Sequence, residues 1–186
     1  MTPASPRTLR IGTRGSALAV AQTRAVADQL AKASGLQVEL ITITTHGDTS
    51  RDSLAELGGT GVFASALREA LVAGDCDVIV HSLKDLPTAA YPGLVIGATP
   101  RRADARDVLC GRDDLTLKTL ADGARVGTGS PRRVAQLKAA RPDLETVDIR
   151  GNVDTRLSRI AEGSTEPLDA VVLAAAGLGR LGRAEA

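Results

Sequence analysis

Five arginines stand out for where they fall along the chain. Arg14, Arg132, Arg133, Arg150 and Arg156 each lie at or just beyond the end of an apolar run that turns through small residues into a helical pattern. The three stretches are "IGTRGSALAVAQ", "VGTGSPRRVAQL" and "IRGNVDTRLSRI". In open α/β sheets, ligands gather beyond the carboxyl ends of strands, where helix N-termini point their unpaired N–H groups. Taken singly, an arginine there reads as a solvated face, and Thr, Ser and Gly read as caps and turn formers. Five arginines in the same topological place read as an anion site. A guanidinium meets a carboxylate through two parallel hydrogen bonds, which makes a polycarboxylate the natural guest. Phosphate fits the same donors, and the pattern does not choose between them. Neither glycine-rich turn matches the phosphate-binding loop ending in Gly-Lys-Ser/Thr or the dinucleotide fingerprint. The adjacent pair Arg132 and Arg133 follows Pro131 into a helix whose N-terminus already carries roughly half a positive charge. Two cations there make sense if carboxylates occupy the site.

The stretch "HSLKDLPT", His81 to Thr88, delivers Lys84 and Asp85 onto a loop stiffened by Pro87. Two readings stand. One is a surface turn with a local Lys–Asp pair. The other is Asp85 as a lone carboxylate among cations, able to stabilise a developing positive charge or to shuttle protons. His81, within a strand, reads as a satisfied core group, and His46 in "TTHGDT" carries no signal. The three glycines of "LGGTGVF" read as a mobile lid or as a flexible connector.

The elements that must position these groups alternate between short Val- and Ile-rich runs and longer helical patterns. Leu9–Arg14 reads as a strand, and Ser16 to Ala33 as a helix that Ser16 can cap. Gln37–Thr45 is a strand, and Val62 to Leu71 a helix closed by Gly74. Asp77–Leu83 and Leu94–Pro100 are further strands. The pattern restarts with strand Ala124–Gly129, helix Pro131–Ala140, strand Leu144–Gly151, helix Asn152–Ala161, strand Leu168–Ala176 and a short helix. This alternation predicts α/β layers with mixed, mostly parallel sheets in two domains, 1–99 and 100–186.

The 186 residues suffice for a real core, but one Phe, one Tyr and no Trp leave its packing to Ala, Val, Leu and Ile. A net charge of +1 and the scarcity of aromatics argue against a nucleic-acid partner. Cys76 and Cys110 have no metal-ligand or redox spacing, so no metal is expected. No apolar run approaches the ~18 residues of a membrane span, and the N-terminus has no secretory pattern. The reading is a reduced, cytoplasmic protein without a membrane partner.

Taken together, "LRIGTRGSALAVAQ", "HGDTSRD", "GGTGVFASALREAL", "DVIVHSLKDLPT", "RADARDVL", "VGTGSPRRVAQL", "IRGNVDTRLSRI" and "LDAVVLAAAGLGRLG" closely resemble the porphobilinogen deaminase (hydroxymethylbilane synthase) family. The pieces cover nearly the whole chain, and HSLKDLPT combined with RGNVDTRL is highly specific. The resemblance implies a monomeric transferase of tetrapyrrole (haem) biosynthesis. Such an enzyme joins four porphobilinogen units into hydroxymethylbilane with release of ammonia, on a dipyrromethane cofactor held covalently by a cysteine. It implies two domains like those of type 2 periplasmic binding proteins, with the active cleft between them, and a third α/β domain carrying that cysteine.

Carried over by motif, Asp85 is the catalytic carboxylate. Lys84, Asp85, Thr128, Ser130, Arg132, Arg133, Arg150 and Gly151 bind cofactor, while Arg14, Ser16, Arg150 and Arg156 bind substrate, with Gln22 and Arg180 as weaker candidates. Glu56 and Thr60 depart from lysines common in the family's glycine-rich loop. Family members also continue beyond "GLGRLGRAEA", so the third domain and the attachment cysteine are expected to be absent and turnover by this chain poor. The rival expectation is a non-catalytic two-domain clamp for a small polycarboxylate, which has no need of Asp85.

Overall fold

The computed structural model describes residues 8–44 and 64–183; His46, the Gly58–Gly61 loop with Glu56 and Thr60, and the Val62–Phe63 start of the expected second helix lie outside the described residues. The chain divides into two compact units, Met1–Arg101 and Arg102–Ala186.

In the first unit, β1 (Thr8–Arg14) lies between β2 (Gln37–Ile43) and β3 (Val78–Ile79), parallel to both. Helix α1 (Ala17–Ser34) is the crossover from β1 to β2. Ser16 starts it from extended backbone, its hydroxyl accepting from the Ala19 N–H at 3.3 Å. That satisfies one of the donors every helix leaves open. Where α1 crosses β1, the hydroxyls of Thr23 and Thr13 share a buried 2.8 Å hydrogen bond, with Ile11 buried beside them on the strand. Helix α2 (Ser65–Ala73) ends at Gly74 in the left-handed region, as its sequence predicts.

Two expectations for this unit need correction. Asp77–Leu83 reads as a full strand, yet β3 spans only Val78–Ile79, after which the chain folds into a 3-10 turn, Leu83–Asp85. Leu94–Pro100 also reads as a strand and forms none; Val95 is 92% and Ile96 64% exposed. Strand propensity describes fit to a half-buried pleated surface, and no described strand pairs with this run.

The second unit is a four-stranded mixed sheet in the order β4-β7-β5-β6. Strands β5 (Arg125–Gly127), β6 (Glu145–Val147) and β7 (Ala170–Ala174) run parallel, and β4 (Asp107–Gly111) pairs antiparallel with β7. Helix α3 (Pro131–Ala140) links β5 to β6, α4 (Val153–Leu157) follows β6, and α5 (Ala175–Arg180) follows β7. The expected helix Asn152–Ala161 is regular only over α4 and continues as successive tight turns to Ala161.

Side chains alternate across a strand, so β7 feeds two cores. Ala170 and Val172 pack with Leu120, Val126, Leu137 and Leu144. Val171 and Leu173 pack with Cys110, Ile149, Leu168 and Leu178. Ile149 lies against Gly127, where a Cβ would stand 2.9 Å from the Ile149 Cδ1 and 2.6 Å from the Leu168 Cδ1. This close approach sets the height of the strand ends that carry Thr128 and Arg150. Truncating Ile149, which is 1% exposed, removes that support. Ile149→Ala is expected to cost about 2–5 kcal/mol, read as a lower urea midpoint at unchanged slope. An unchanged midpoint would contradict the packing described.

Candidate functional site

In the second unit the sequence-predicted residues collect beyond β5 and β6. Thr128 is buried at 2% exposure; its N–H bonds the Val147 carbonyl at 2.9 Å, and its hydroxyl accepts from the Ser130 N–H at 3.3 Å. That bond folds the chain from β5 into α3. Ser130 is the N-cap residue, but its side chain makes no capping bond. Beyond β6, Ile149 anchors the segment that carries Arg150. Gly151 follows at φ +98, and a Cβ there would lie 2.7 Å from the Thr155 Cγ2, so glycine is required on both counts. Asn152 then caps α4, its Oδ1 accepting from the Thr155 N–H at 2.8 Å.

Arg156, on α4, donates from Nε to the Gly151 carbonyl at 2.9 Å. Its guanidinium is held below its ordinary pKa, first by burial and then by the positive charges of Arg133 and Arg150, with Asp148 pulling the other way. Arg156 is therefore half-buried within the positive field of two other sequence-predicted arginines. An anion offsets that field.

The two arginines in the first turn of α3 part company. Arg132 is exposed. Arg133 turns back to the sheet, its Nε and Nη2 donating to the Asp107 carboxylate at 3.0 and 2.6 Å and its Nη1 to the Val172 carbonyl at 3.1 Å. Asp107 thereby neutralises one of the two cations that the helix terminus repels. Sequence reasoning missed Asp107: it lies 26 residues from its partner, on a strand that the apolar pattern had not picked out. Asp148 was missed as well. Arg180 lies in the exposed last turn of α5.

In the first unit, Arg14 closes β1, Ser16 caps α1, and the turn after β3 carries exposed Lys84 and half-buried Asp85. The turn is closed by the Asp85 N–H on the Ser82 carbonyl at 2.9 Å. Gln22 reaches it from α1, its Nε2 on the His81 carbonyl at 3.4 Å and its Oε1 accepting from the Ser82 hydroxyl at 2.8 Å. The His81 Nε2 is buried without a hydrogen-bond partner among the described residues. Burial pushes the imidazole below its ordinary pKa; Asp85 opposes that shift, while Arg68 and Arg14 add to it. Asp85 and Arg14 thus stand in one electrostatic neighbourhood around a neutral histidine. The expectation of His81 as a satisfied core group fails at its Nε2.

Residues 9–186 match the family model described as porphobilinogen deaminase, dipyrromethane cofactor binding domain. The chain is 70% identical over 178 residues to a porphobilinogen deaminase of Leifsonia xyli subsp. xyli, an alignment covering 96% of this chain and 53% of that relative. It is 63% identical to one from Micrococcus luteus, covering 94% of this chain and 50% of the relative, and 60% identical to one from Cutibacterium acnes, covering 96% and 55%. The chain therefore spans about half the length of the curated relatives it matches. Among solved structures it resembles a periplasmic substrate-binding protein of an ABC transporter from Coxiella burnetii, at a TM-score of 0.50 and 20% identity over 94% of this chain and 74% of that one. That likeness concerns the fold, and agrees with the mixed α/β architecture.

The field around His81 is directly measurable by NMR titration of its imidazole. Its midpoint is expected below 6.5, and Asp85→Asn lowers it further by removing the opposing carboxylate. In linkage terms, the folded state binds fewer protons than the unfolded one, so this contribution to stability is present above 6.5 and lost as the pH falls below it. A midpoint at or above 6.5, or a rise on Asp85→Asn, would contradict the arrangement.

Proposed function

The chain belongs to the porphobilinogen deaminase family, and from that premise we propose that it serves the joining of four porphobilinogen units into hydroxymethylbilane with release of ammonia. The observation that carries the proposal is the placement of Arg133, Arg150 and half-buried Arg156 beyond the paired strands β5 and β6, where the charges of the first two bear on the third. Porphobilinogen brings an acetate and a propionate, so each ring offers two carboxylates to guanidinium forks. Arg150, Arg156 and exposed Arg132 take those carboxylates, with Thr128, Ser130 and Gly151 shaping the turns that present them. Arg133 contributes charge while its donors hold Asp107 and the Val172 carbonyl. Arg14, Ser16 and Lys84 offer donors in the first unit, and Arg180 is a further cation of the second.

Asp85 is the catalytic carboxylate of this reading. Each addition breaks the aminomethyl C–N bond of a porphobilinogen, and the nitrogen leaves as ammonia. The pyrrole ring left behind becomes electron-poor, and a half-buried carboxylate that accepts from its N–H stabilises the charge as it develops.

Dipyrromethane fits the same donor set, because a half-buried group of like-charged arginines matches a polycarboxylate. When bound, it supplies the pyrrole carbon from which the chain grows. Neither Cys76 nor Cys110 is its attachment point in this proposal. Both are 2% exposed, and burial pushes both thiols above their ordinary pKa, which suppresses the thiolate a covalent bond requires. The same reading makes the protein a cytoplasmic monomer, and a net charge of +1 gives it no overall field to attract nucleic acid.

Two measurements test this function. In calorimetric titration, porphobilinogen binds saturably and Arg156→Gln weakens binding on the order of 10- to 100-fold. Asp85→Asn leaves binding within a few-fold but slows porphobilinogen loss, followed with an aldehyde colour reagent, by roughly 100-fold or more. Absence of saturable binding contradicts the site. Turnover indifferent to Asp85→Asn contradicts the enzyme and favours a simple polycarboxylate clamp.

A further inference from the structure

We infer that Gln22 is a positioning residue, which holds the turn bearing Lys84 and Asp85 in place through Ser82 instead of meeting the substrate itself. The inference rests on the proposed role of Asp85. Its basis is the division of labour within the turn. Leu83 is 62% exposed and Lys84 is exposed, so half of the segment Ser82–Asp85 has little apolar anchorage. Internally the turn is closed by two backbone bonds, Asp85 N–H to the Ser82 carbonyl at 2.9 Å and Leu86 N–H to the Leu83 carbonyl at 3.2 Å. The His81 Nε2 adds no hydrogen bond to it among the described residues.

The tie comes from α1. The Gln22 amide engages with both ends at once, Oε1 taking the Ser82 hydroxyl proton at 2.8 Å and Nε2 giving a longer bond of 3.4 Å to the His81 carbonyl. A side-chain amide offers a donor and an acceptor on one planar group, which matches a backbone carbonyl followed by a hydroxyl that donates. Gln22 is itself well placed to be rigid. It directly precedes Thr23, whose buried hydroxyl bond to Thr13 fixes this turn of α1 against β1. The chain of contacts therefore runs from β1 through α1 and Gln22 to Ser82, and from there to the carboxylate.

The role is testable without ligand. Amide hydrogen exchange at Asp85 and Leu86 is expected to speed up about tenfold in Gln22→Ala, while the α1 amide of Val20, bonded to the Ser16 carbonyl, keeps its protection and reports that the helix is intact. Gln22→Glu retains the acceptor for Ser82 but loses the donor to His81, and should fall between wild type and Gln22→Ala. Ser82→Ala should match most of the Gln22→Ala effect, and the double variant should exchange no faster than the faster single, because both remove one shared bond. Unchanged exchange at Asp85 and Leu86 in Gln22→Ala, or additive effects in the double variant, would overturn the inference. Exchange that rises as expected while porphobilinogen loss ignores Asp85→Asn would leave the clamp standing and overturn the catalytic reading instead.

Discussion

Like charges held close together are the constraint on which the second unit is built. Guanidinium groups stay charged at any ordinary pH, so three of them in one field must be compensated, diluted by solvent or matched by a guest. Pairing within the protein supplies part of the compensation. Arg133 is paired with Asp107 and a β7 carbonyl; Arg156 has the Gly151 carbonyl and the nearby Asp148; the charge of Arg150 adds to the field at Arg156. The Arg156 guanidinium is depressed from its ordinary value first by burial and then by the charges of Arg133 and Arg150. A fold that needed these arginines only for stability would gain from replacing one. Their placement in one positive field accords with a polyanionic guest.

The backbone serves that arrangement. Parallel β5 and β6 end side by side, and the Thr128 N–H bridges to the Val147 carbonyl, which keeps the two strand ends in register as their chains diverge into α3 and α4. Gly151 supplies the left-handed step that lets Arg156 return to the carbonyl just before α4. In the first unit, the analogous position beyond β1 carries a capped helix, and the turn beyond β3 carries a carboxylate. The two units thus share a design, with loops at the carboxyl ends of parallel strands that carry cations, and in the first unit Asp85 stands beside Lys84 there.

Much of this was legible in the sequence because it is local. Ser16 before an apolar helical pattern, Gly74 after one, and Pro131 at the first position of α3 are signals read within a turn or two, and the structure agrees with each. The mixed α/β class was likewise readable from alternating periods. What escaped depended on partners far along the chain. No pattern around Leu94–Pro100 reveals that no described strand pairs with its apolar run. β4 is antiparallel to β7, 60 or so residues away, and was not singled out as a strand. The same limit applied to the side chains. Arg132 and Arg133 are equivalent in sequence, but only Arg133 lies within reach of Asp107, and Gln22 is separated by 60 residues from the hydroxyl it binds.

The central claim is that Arg150 and Arg156 form a carboxylate grip, while Arg133 is committed to the fold. Arginine side-chain NMR, following the Nε–H signals during titration with porphobilinogen, tests it most directly. The account predicts saturable shifts at Arg150 and Arg156 with little movement at Arg133, whose Nε–H is already bonded to Asp107. Shifts confined to exposed cations such as Arg101 and Arg102, or no saturable shift at all, would contradict it.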